Sequence, residues 1–485
     1  EYAFKHILIR DVAYDRLPKG RRAELHVRFT EWLSGVPGPE GEFLEIVAYH
    51  LEQACHLAGQ IARSPIEPPI LDAAAALAGA AEKAQRREGL REAGRYYDRA
   101  LALLGDGFRD RSLELRLARA RTRTYLGELQ QASEELAQAA EEALSLDRPD
   151  LRCTALVTLG NIDHRQSRPS QARRRLAEAQ ALAVKSGDRS LQVRAAFGLA
   201  AVRADHEGEA EAAVEDLRRA VRVAEEMDDR ALRVEGHLRL GFLLFNMGEI
   251  GASERELLHC TELAGELGSI RDEARAAFLL GLVKHYRGEP EEAERLSLQA
   301  RDWLERTGEP YFQMQNFRAL GLYALARGDL EAAERWLREA IPVALEEGGR
   351  EVLEVYRFLT ETLVRQERIP DAVALVEFAS RNVPEEDLAA QAHLLLARGA
   401  IAAAQRDREA FALYARAINW LEEQFLPIEA SEARITFAAA LRRLGELEDA
   451  RTQLTMARET FERMGASGPC AQVDGELERI ASGAG

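Results

Sequence analysis

The chain has 485 residues and a formal net charge of −17, because 82 acidic residues outnumber 65 Lys and Arg residues. An extended basic face, which nucleic-acid binding requires, is therefore not expected. No segment approaches the about 18 consecutive apolar residues of a membrane-spanning helix. We accordingly expect neither a nucleic acid nor a membrane as a partner. The abundance of Ala, Leu, Glu and Arg favours helix almost throughout.

The cysteines and the amino end indicate a cellular compartment. The four cysteines lie far apart and form no Cys-x-x-Cys pair; they are Cys55, Cys153, Cys260 and Cys470. This spacing indicates reduced thiols rather than a disulfide framework or a zinc knuckle. The first ten residues, EYAFKHILIR, do not form a signal peptide and lack a starting Met. We expect a cytoplasmic protein, of which this chain is the carboxy-terminal part.

The first 69 residues do not repeat. Residues 2–17 predict a short strand followed by an amphipathic helix, and residues 19–33 predict a second helix with several basic side chains. A Pro- and Gly-rich stretch at 35–41 precedes a third helix at 43–59. We assign 1–34 to the end of one domain and 35–69 to a linker and connecting helix.

From residue 70 onwards, a small residue recurs about every 40 positions, usually after a Gly-Glu or Gly-Asp turn. It stands at Ala93, Ala132, Ala172, Ala213, Ser253, Ala293, Ala333, Ala372, Ala410 and Ala450. A second small residue lies twelve positions before most of them, as at Gly241, and a third lies seven positions after each, as at Cys260. Antiparallel helices approach closely only where side chains are small. The pattern predicts ten helical hairpins over 70–465, with a capping helix in 466–485.

This triplet of small residues resembles the tetratricopeptide repeat, a helix–turn–helix unit with a usual period of about 34 residues. The longer period predicts helices that are nearly one turn longer. HEAT and armadillo repeats have periods near 40 but lack the triplet, so we favour the tetratricopeptide type. The resemblance implies an all-α fold, namely an elongated right-handed α-solenoid of about ten tetratricopeptide-like hairpins.

The amino-terminal segment resembles the end of the ATPase module in bacterial STAND proteins, the signal-transduction ATPases with numerous domains. The resemblance rests on Phe4, His6, Tyr14 and the basic stretch Arg21 to His26. In that family these residues close a winged-helix-like subdomain, and a tetratricopeptide sensor array follows directly. An ATPase module with ATP and Mg²⁺ would then lie upstream of Glu1. The chain itself contains no GxxxxGK[ST] phosphate loop, so we expect no cofactor within it.

No catalytic motif is found in the sequence: there is no GxSxG elbow, no HExxH pair and no His/Asp/Ser grouping. Carboxylates often stand four residues from an Arg, as in Glu331 and Arg335, a pattern that stabilises exposed helices. His50, Cys55 and His56 are scattered around one helix, so they do not predict a metal site. We therefore expect a binding protein without enzymatic activity and without a metal.

In tetratricopeptide arrays, the first helix of each repeat lines the concave groove. The register places an apolar and aromatic stripe with a polar rim on this face in repeats 3 to 7. The candidate binding residues are Asn161, His164, Arg165, His206, Phe242, Phe245, Asn246, Leu282, His285, Tyr286 and Arg318. Such a surface is typical of a peptide or small-molecule site. The alternative is that the long helices bury more surface, so that Phe242 and Phe278 belong to the core.

Two functions follow from these patterns. The first is a non-catalytic sensor or scaffold array of a STAND-type regulator, which binds a protein or peptide partner, or a small-molecule inducer, and relays its presence to its own upstream ATPase domain. The alternative is a free-standing tetratricopeptide assembly adaptor with no nucleotide switch. A phosphate loop before Glu1 would distinguish the two.

Overall fold

The computed structural model describes residues 12–36, 43–87, 89–166, 168–206, 208–347, 351–382 and 388–482. Over these residues the chain is α-helical and contains no β-strand. The predicted all-α repeat fold is confirmed. The strand predicted near the amino end, together with Phe4 and His6, lies outside the described residues.

Three helical elements precede the repeats. The described part of α1 is a single turn at 12–15; α2 spans Lys19–Ser34 and α3 spans Leu44–Gly59. α2 packs on α3, and α3 packs on α4 (Ile70–Arg87), the first helix of the array. The amino-terminal helices are therefore continuous with the repeats rather than separated from them.

Ten antiparallel helical hairpins follow in the described part of the chain, and each buries its apolar face against its neighbours. Their helices are α4 and α5 (Leu90–Leu104), α6 (Arg109–Tyr125) and α7 (Leu129–Ser145), α8 (Pro149–Arg165) and α9 (Pro169–Ser186), α10 (Arg189–His206) and α11 (Ala210–Glu226), α12 (Arg230–Asn246) and α13 (Ile250–Leu267), α14 (Ile270–Tyr286) and α15 (Pro290–Thr307), α16 (Pro310–Arg327) and α17 (Leu330–Glu347), α18 (Glu351–Arg365) and α19 (Ile369–Ala379), α20 (Leu388–Ala404) and α21 (Glu409–Glu423), and α22 (Pro427–Arg443) and α23 (Leu447–Met464). A last helix, α24 (Ser467–Ala481), packs on α23.

The small residues lie where the two helices of a hairpin touch. A Cβ atom placed on Gly241 of α12 would lie 2.7 Å from two carbon atoms of Leu257 in α13. Leu257 is fully buried, and so are the repeated small residues Ala213 and Ser253. Because the interior is close-packed, the hairpin keeps its spacing only while these positions stay small.

The array completes one superhelical turn in five hairpins, and the next turn packs against it. α4 contacts α14, ten helices further along the chain, and α14 in turn contacts α24. The Ser467 hydroxyl donates a hydrogen bond to the carbonyl oxygen of Arg287 at 2.5 Å. The open concave groove expected from the sequence is therefore wrong where the turns meet.

The accessible surface of the chain remains large. It amounts to 22911 Å², whereas a compact monomer of this mass exposes about 18,000 Å². The excess is expected for a solenoid that surrounds an interior space. Within the ranges given above, no helix combines the length and the apolar character needed to cross a bilayer.

Two glycine substitutions test the hairpin packing. Gly241→Ala should lower the free energy of unfolding by about 1–3 kcal/mol, because Leu257 has no free space to move into. Gly94→Ala, in the interior of α5, should instead stabilise by about 0.5–1 kcal/mol, since nothing lies within 4 Å of the added Cβ. Urea unfolding followed by circular dichroism measures both. Shifts of the same sign in the two variants would contradict this account of the packing.

Candidate functional site: the interior of the superhelix

The first helices of the hairpins face the superhelix interior, and two of the cavities that lie between these helices differ in character. The larger one, here called the inner cavity, has a volume of 500 Å³. Its wall is built mainly from α4, α6, α8, α10, α12, α14 and α16. Seven helices from seven consecutive hairpins therefore converge on one space.

The wall of the inner cavity is positively charged. Its ionisable side chains are seven arginines and four carboxylates: Arg86, Arg121, Arg165, Arg194, Arg239, Arg271, Arg275, Glu82, Glu235, Asp272 and Glu309. This gives a balance of +3 within a chain of net charge −17. The acidic character of the chain as a whole is thus reversed in its interior.

The carboxylates of the wall hold several of these arginines in place. Glu235 lies 3.0 Å from Arg239 and 3.1 Å from Arg194, and Arg275 Nε donates to Glu309 at 2.7 Å. Although burial opposes its charge, the two arginines keep the pKa of Glu235 below its usual range. The pKa of Asp272 is likewise lowered against burial, by Arg271 and Arg275. The wall is therefore a fixed array of charges.

Two arginines of the wall remain available to a ligand. Arg86 in α4 is exposed and Arg121 in α6 is half-buried, and neither forms an ion pair with any residue that the structure describes. Three other guanidinium groups cover aromatic rings: Arg271 lies 4.8 Å from Tyr125, and Arg275 and Arg165 each lie 4.9 Å from the rings of Phe312 and Tyr311, respectively. Cation–π contacts of this kind stabilise a charged wall in the absence of water.

The second space, here called the inter-turn cavity, has a volume of only 60 Å³ and lies where the two turns meet. Phe245 and Tyr286 pack edge to face there, with ring centroids 5.4 Å apart. The Tyr286 hydroxyl donates to Glu432 of α22. Burial, reinforced by Glu432, raises the pKa of Tyr286 well above its usual value, and burial also raises the pKa of Glu432.

Eight of the eleven predicted binding residues line one or both of these spaces. Asn161, Arg165 and Phe242 line the inner cavity. Phe242, Phe245, Asn246, Leu282, Tyr286 and Arg318 line the inter-turn cavity. His164 is half-buried in the last turn of α8, and the side chain of His206 lies outside the described part of the chain.

The expectation that this stripe faces open solvent is wrong for several of its members. Phe245, Leu282 and Tyr286 are buried. Phe245 and Tyr286 pack on each other, and Tyr286 also contacts Glu432 of α22. Phe278 is buried too, as the core alternative requires, whereas Phe242 keeps 36% of its surface exposed. Whether these residues bind a partner stays a prediction.

Sequence reasoning missed one row of inward-facing residues. They occur in the first helices of hairpins five to ten, six positions before a Gly or Ala, or before Thr360 in α18: Glu235, Arg275, Gln315, Glu354, His393 and Glu432. All six line one or both of the cavities defined above. The repeat register could have identified these positions, because they are equivalent from one hairpin to the next. The prediction instead rested on the aromatic stripe, which occupies other positions of the same helices.

Solved structures share this architecture. No protein-family model matches the chain, and a search of curated proteins finds no match. A Rap protein complexed with Competence and Sporulation Factor is similar at a TM-score of 0.54 and 13% identity, over 73% of this chain and 98% of that chain. The chain is an all-α repeat protein of this architecture. Identity this low establishes the fold alone.

Two further structures are similar at lower scores. The Rap conjugation gene regulator of plasmid pLS20, in complex with the Phr* peptide, has a TM-score of 0.48 and 14% identity over 70% of this chain and 96% of that chain. The STAND protein with a tetratricopeptide repeat sensor from Pyrococcus horikoshii has a TM-score of 0.41 and 14% identity over 84% and 55%.

Alanine substitutions distinguish core rings from cavity rings. Tyr286→Ala should cost about 3–5 kcal/mol of unfolding free energy, because it empties a site that is 3% exposed. Phe242→Ala should cost less, about 1–2 kcal/mol, because a third of that ring is already in contact with solvent. Urea midpoints measure both losses. Equal losses of unfolding free energy would contradict the distinction between a core ring and a cavity ring.

A pH dependence follows from His285, which stacks on Tyr323 with ring centroids 4.8 Å apart. Burial, with a contribution from Arg327, lowers the pKa of His285 to about 4, whereas an unfolded His has a pKa of about 6.5. Since the fold favours the neutral ring, this group stabilises the fold above pH about 6.5 and loses that contribution as the pH falls towards about 4. The melting temperature of His285→Gln should therefore fall less than that of the wild type over this interval. Parallel melting curves for the two proteins would refute the assignment.

Proposed function

We propose that this chain is a non-catalytic binding scaffold whose inner cavity receives an acidic segment of a protein or peptide partner. The observation that carries the proposal is a positively charged interior in an acidic chain, with seven arginines against four carboxylates. Its volume of 500 Å³ lies within the range of ligand sites, about 300–1,000 Å³.

The chemistry of the wall favours a carboxylate-bearing ligand. Arg presents a planar fork of N–H donors that binds a carboxylate through two parallel hydrogen bonds. Arg86 and Arg121, which have no ion-pair partner among the described residues, are the groups that we assign to this contact. Phe242, exposed between the two cavities, would pack against an apolar side chain beside it. Negative charge and one apolar anchor together define the expected ligand.

Selection from a random library of peptides about twelve residues long tests this proposal while the natural partner is still unidentified. Peptides that bind the chain should be enriched in Asp and Glu. Arg86→Glu combined with Arg121→Glu should weaken the selected peptides at least tenfold in fluorescence anisotropy, because each substitution replaces an attraction by a repulsion. A loss of this size corresponds to about 1.4 kcal/mol.

The control is Arg222→Glu in α11, which makes one such charge reversal at an exposed position outside the inner cavity. It should leave peptide affinity within about twofold of the wild type. Basic selected peptides, or equal binding by the double variant and the wild type, would rule out the inner cavity as an acidic-peptide site.

We further propose that the array is the sensor of a STAND-type regulator. α4 supports this assignment, because it contributes Glu82 and Arg86 to the inner cavity and also carries the amino-terminal helices. Lys83 of α4 pairs with Glu45 of α3 at 2.7 Å, and Arg99 of α5, the second helix of the same hairpin, donates two hydrogen bonds to Glu52 of α3, at 3.0 and 2.5 Å. A ligand that moves α4 would therefore also move α3, on the side where the regulator's ATPase module is expected.

The packing of the amino-terminal helices is consistent with this role. His26 of α2 lies between Tyr14, whose hydroxyl is 2.7 Å from His26 Nε2, and His50 of α3, at 2.6 Å between the two Nδ1 atoms. Burial, helped by His50 and Arg22, lowers the pKa of His26 to about 4. Tyr14 and His26, two of the residues on which the resemblance to the STAND family rests, thus link α1, α2 and α3.

The alternative is an assembly adaptor with the same cavity and no nucleotide switch. The sequence before Glu1 in the full reading frame decides between the two: a GxxxxGK[ST] motif there supports the regulator. If the motif is present, the selected acidic peptide should change the rate of ATP hydrolysis by the full-length protein. A full reading frame without this motif would favour the assembly adaptor.

A further inference from the structure

The inner helices of the last three hairpins bring one imidazole and two carboxylates together. Glu354 lies on α18, His393 on α20 and Glu429 on α22. One ligand atom of each residue lies within 4.8 Å of the others. His393 Nε2 is 3.3 Å from Glu429 Oε2 and 3.7 Å from Glu354 Oε1. The cluster belongs to the inter-turn cavity and is separate from the inner cavity.

His393 is buried without the partners that its ring requires. Its exposed fraction is 1%, and among the described residues neither ring nitrogen has a hydrogen-bond partner. Nε2 nevertheless faces the two carboxylates, whose oxygens are its nearest charged neighbours. Buried polar groups are almost always satisfied, so an imidazole in this position indicates a ligand.

The distances match those between the ligands of one ion. Zinc binds His nitrogen at about 2.0–2.1 Å and carboxylate oxygen at about 2.0–2.2 Å, so two ligands of a tetrahedral ion lie about 3.4 Å apart. The two separations from Nε2, 3.3 and 3.7 Å, bracket this value. A direct N–H···O hydrogen bond would be shorter, about 2.7–3.2 Å.

Arg318 orients one of the carboxylates. Its Nη1 lies 2.7 Å from Glu354 Oε2, which leaves Oε1 directed at His393. Carboxylates that bind metals are commonly held in this way by a hydrogen bond to their other oxygen. Glu429 is partly exposed, so its carboxylate can move by the few tenths of an ångström needed for all three ligands to reach one ion.

We propose that Glu354, His393 and Glu429 form a binding site for a divalent transition-metal ion. Zn²⁺ is the ion with which the site is compared and tested. One imidazole and two carboxylates suit such an ion, and three protein ligands leave one coordination position open to the inter-turn cavity. Because each ligand comes from a different hairpin, the bound ion ties hairpins eight, nine and ten together. An ion that binds only the folded chain also stabilises it.

Calorimetric titration of ZnCl₂ into untagged, chelator-treated chain tests the site. The wild type should bind one ion with micromolar or tighter affinity, and its melting temperature should rise with added Zn²⁺. His393→Gln should weaken binding at least tenfold and abolish the rise. The matched control is His237→Gln, another buried His, which has a single carboxylate neighbour, Glu256, at 2.7 Å from Nδ1; it should bind as the wild type does.

If His393→Gln fails to fold, Glu429→Gln tests the metal site instead. This substitution removes the charge of one ligand at a partly exposed position and keeps the size of the side chain. It should keep the circular dichroism of the wild type and lose at least tenfold in Zn²⁺ affinity. Wild-type binding weaker than about 100 μM would overturn the proposal. So would unchanged binding in these variants, since the ion would then occupy another site, such as the His26–His50 pair.

Discussion

The contact between consecutive turns of the superhelix determines the environment of every interior residue. Small residues at a period of about 40 let the two helices of each hairpin approach closely, and hairpins of this length complete a turn after five units, so that α4 reaches α14 and α14 reaches α24. The concave face of a solenoid is usually a groove open to solvent. Here the later helices of the array cover part of it, and the remaining space is only partly open to solvent.

Enclosure changes the energetics of the charges on that face. Charges in an enclosed space of low dielectric interact more strongly than on an open surface, and unpaired ones are costly. The chain meets this cost by pairing: Glu235 lies between two arginines, Arg275 binds Glu309, and Tyr286 donates to Glu432. Arg86 and Arg121 have no such pairing among the described residues, and neither ring nitrogen of His393 has a hydrogen-bond partner there. For this reason they are the groups to which we assign ligands.

The sequence predicts the local architecture well, because the interactions that define a hairpin lie within one period. Gly241 and Leu257, for example, are only 16 positions apart, and their packing follows from size alone. The register also places Asn161, Arg165 and Phe242 on the inner face, and they line the inner cavity. The closure of the turn could not be predicted, because it depends on small angles between hairpins that accumulate over five units. Tyr286 thus donates its hydroxyl hydrogen bond to Glu432, a residue 146 positions away.

The cluster of Glu354, His393 and Glu429 has the same origin. Its members are 39 and 36 positions apart, and no motif of closely spaced ligands marks them. The repeat register places the first two at equivalent inward positions, which is a readable signal. Their distance from Glu429 depends on how neighbouring hairpins rotate, and that rotation follows from packing along the whole turn.

The coupling free energy between Tyr286 and Glu432 tests most directly whether the two turns pack together. Urea unfolding of Tyr286→Phe, Glu432→Gln and the double variant gives this energy from a double-mutant cycle. Turns in contact predict a coupling of about 1 kcal/mol or more, because the hydroxyl and the carboxylate satisfy each other in a buried site. Additive effects within about 0.3 kcal/mol would mean that the two side chains do not meet and that the superhelix is open.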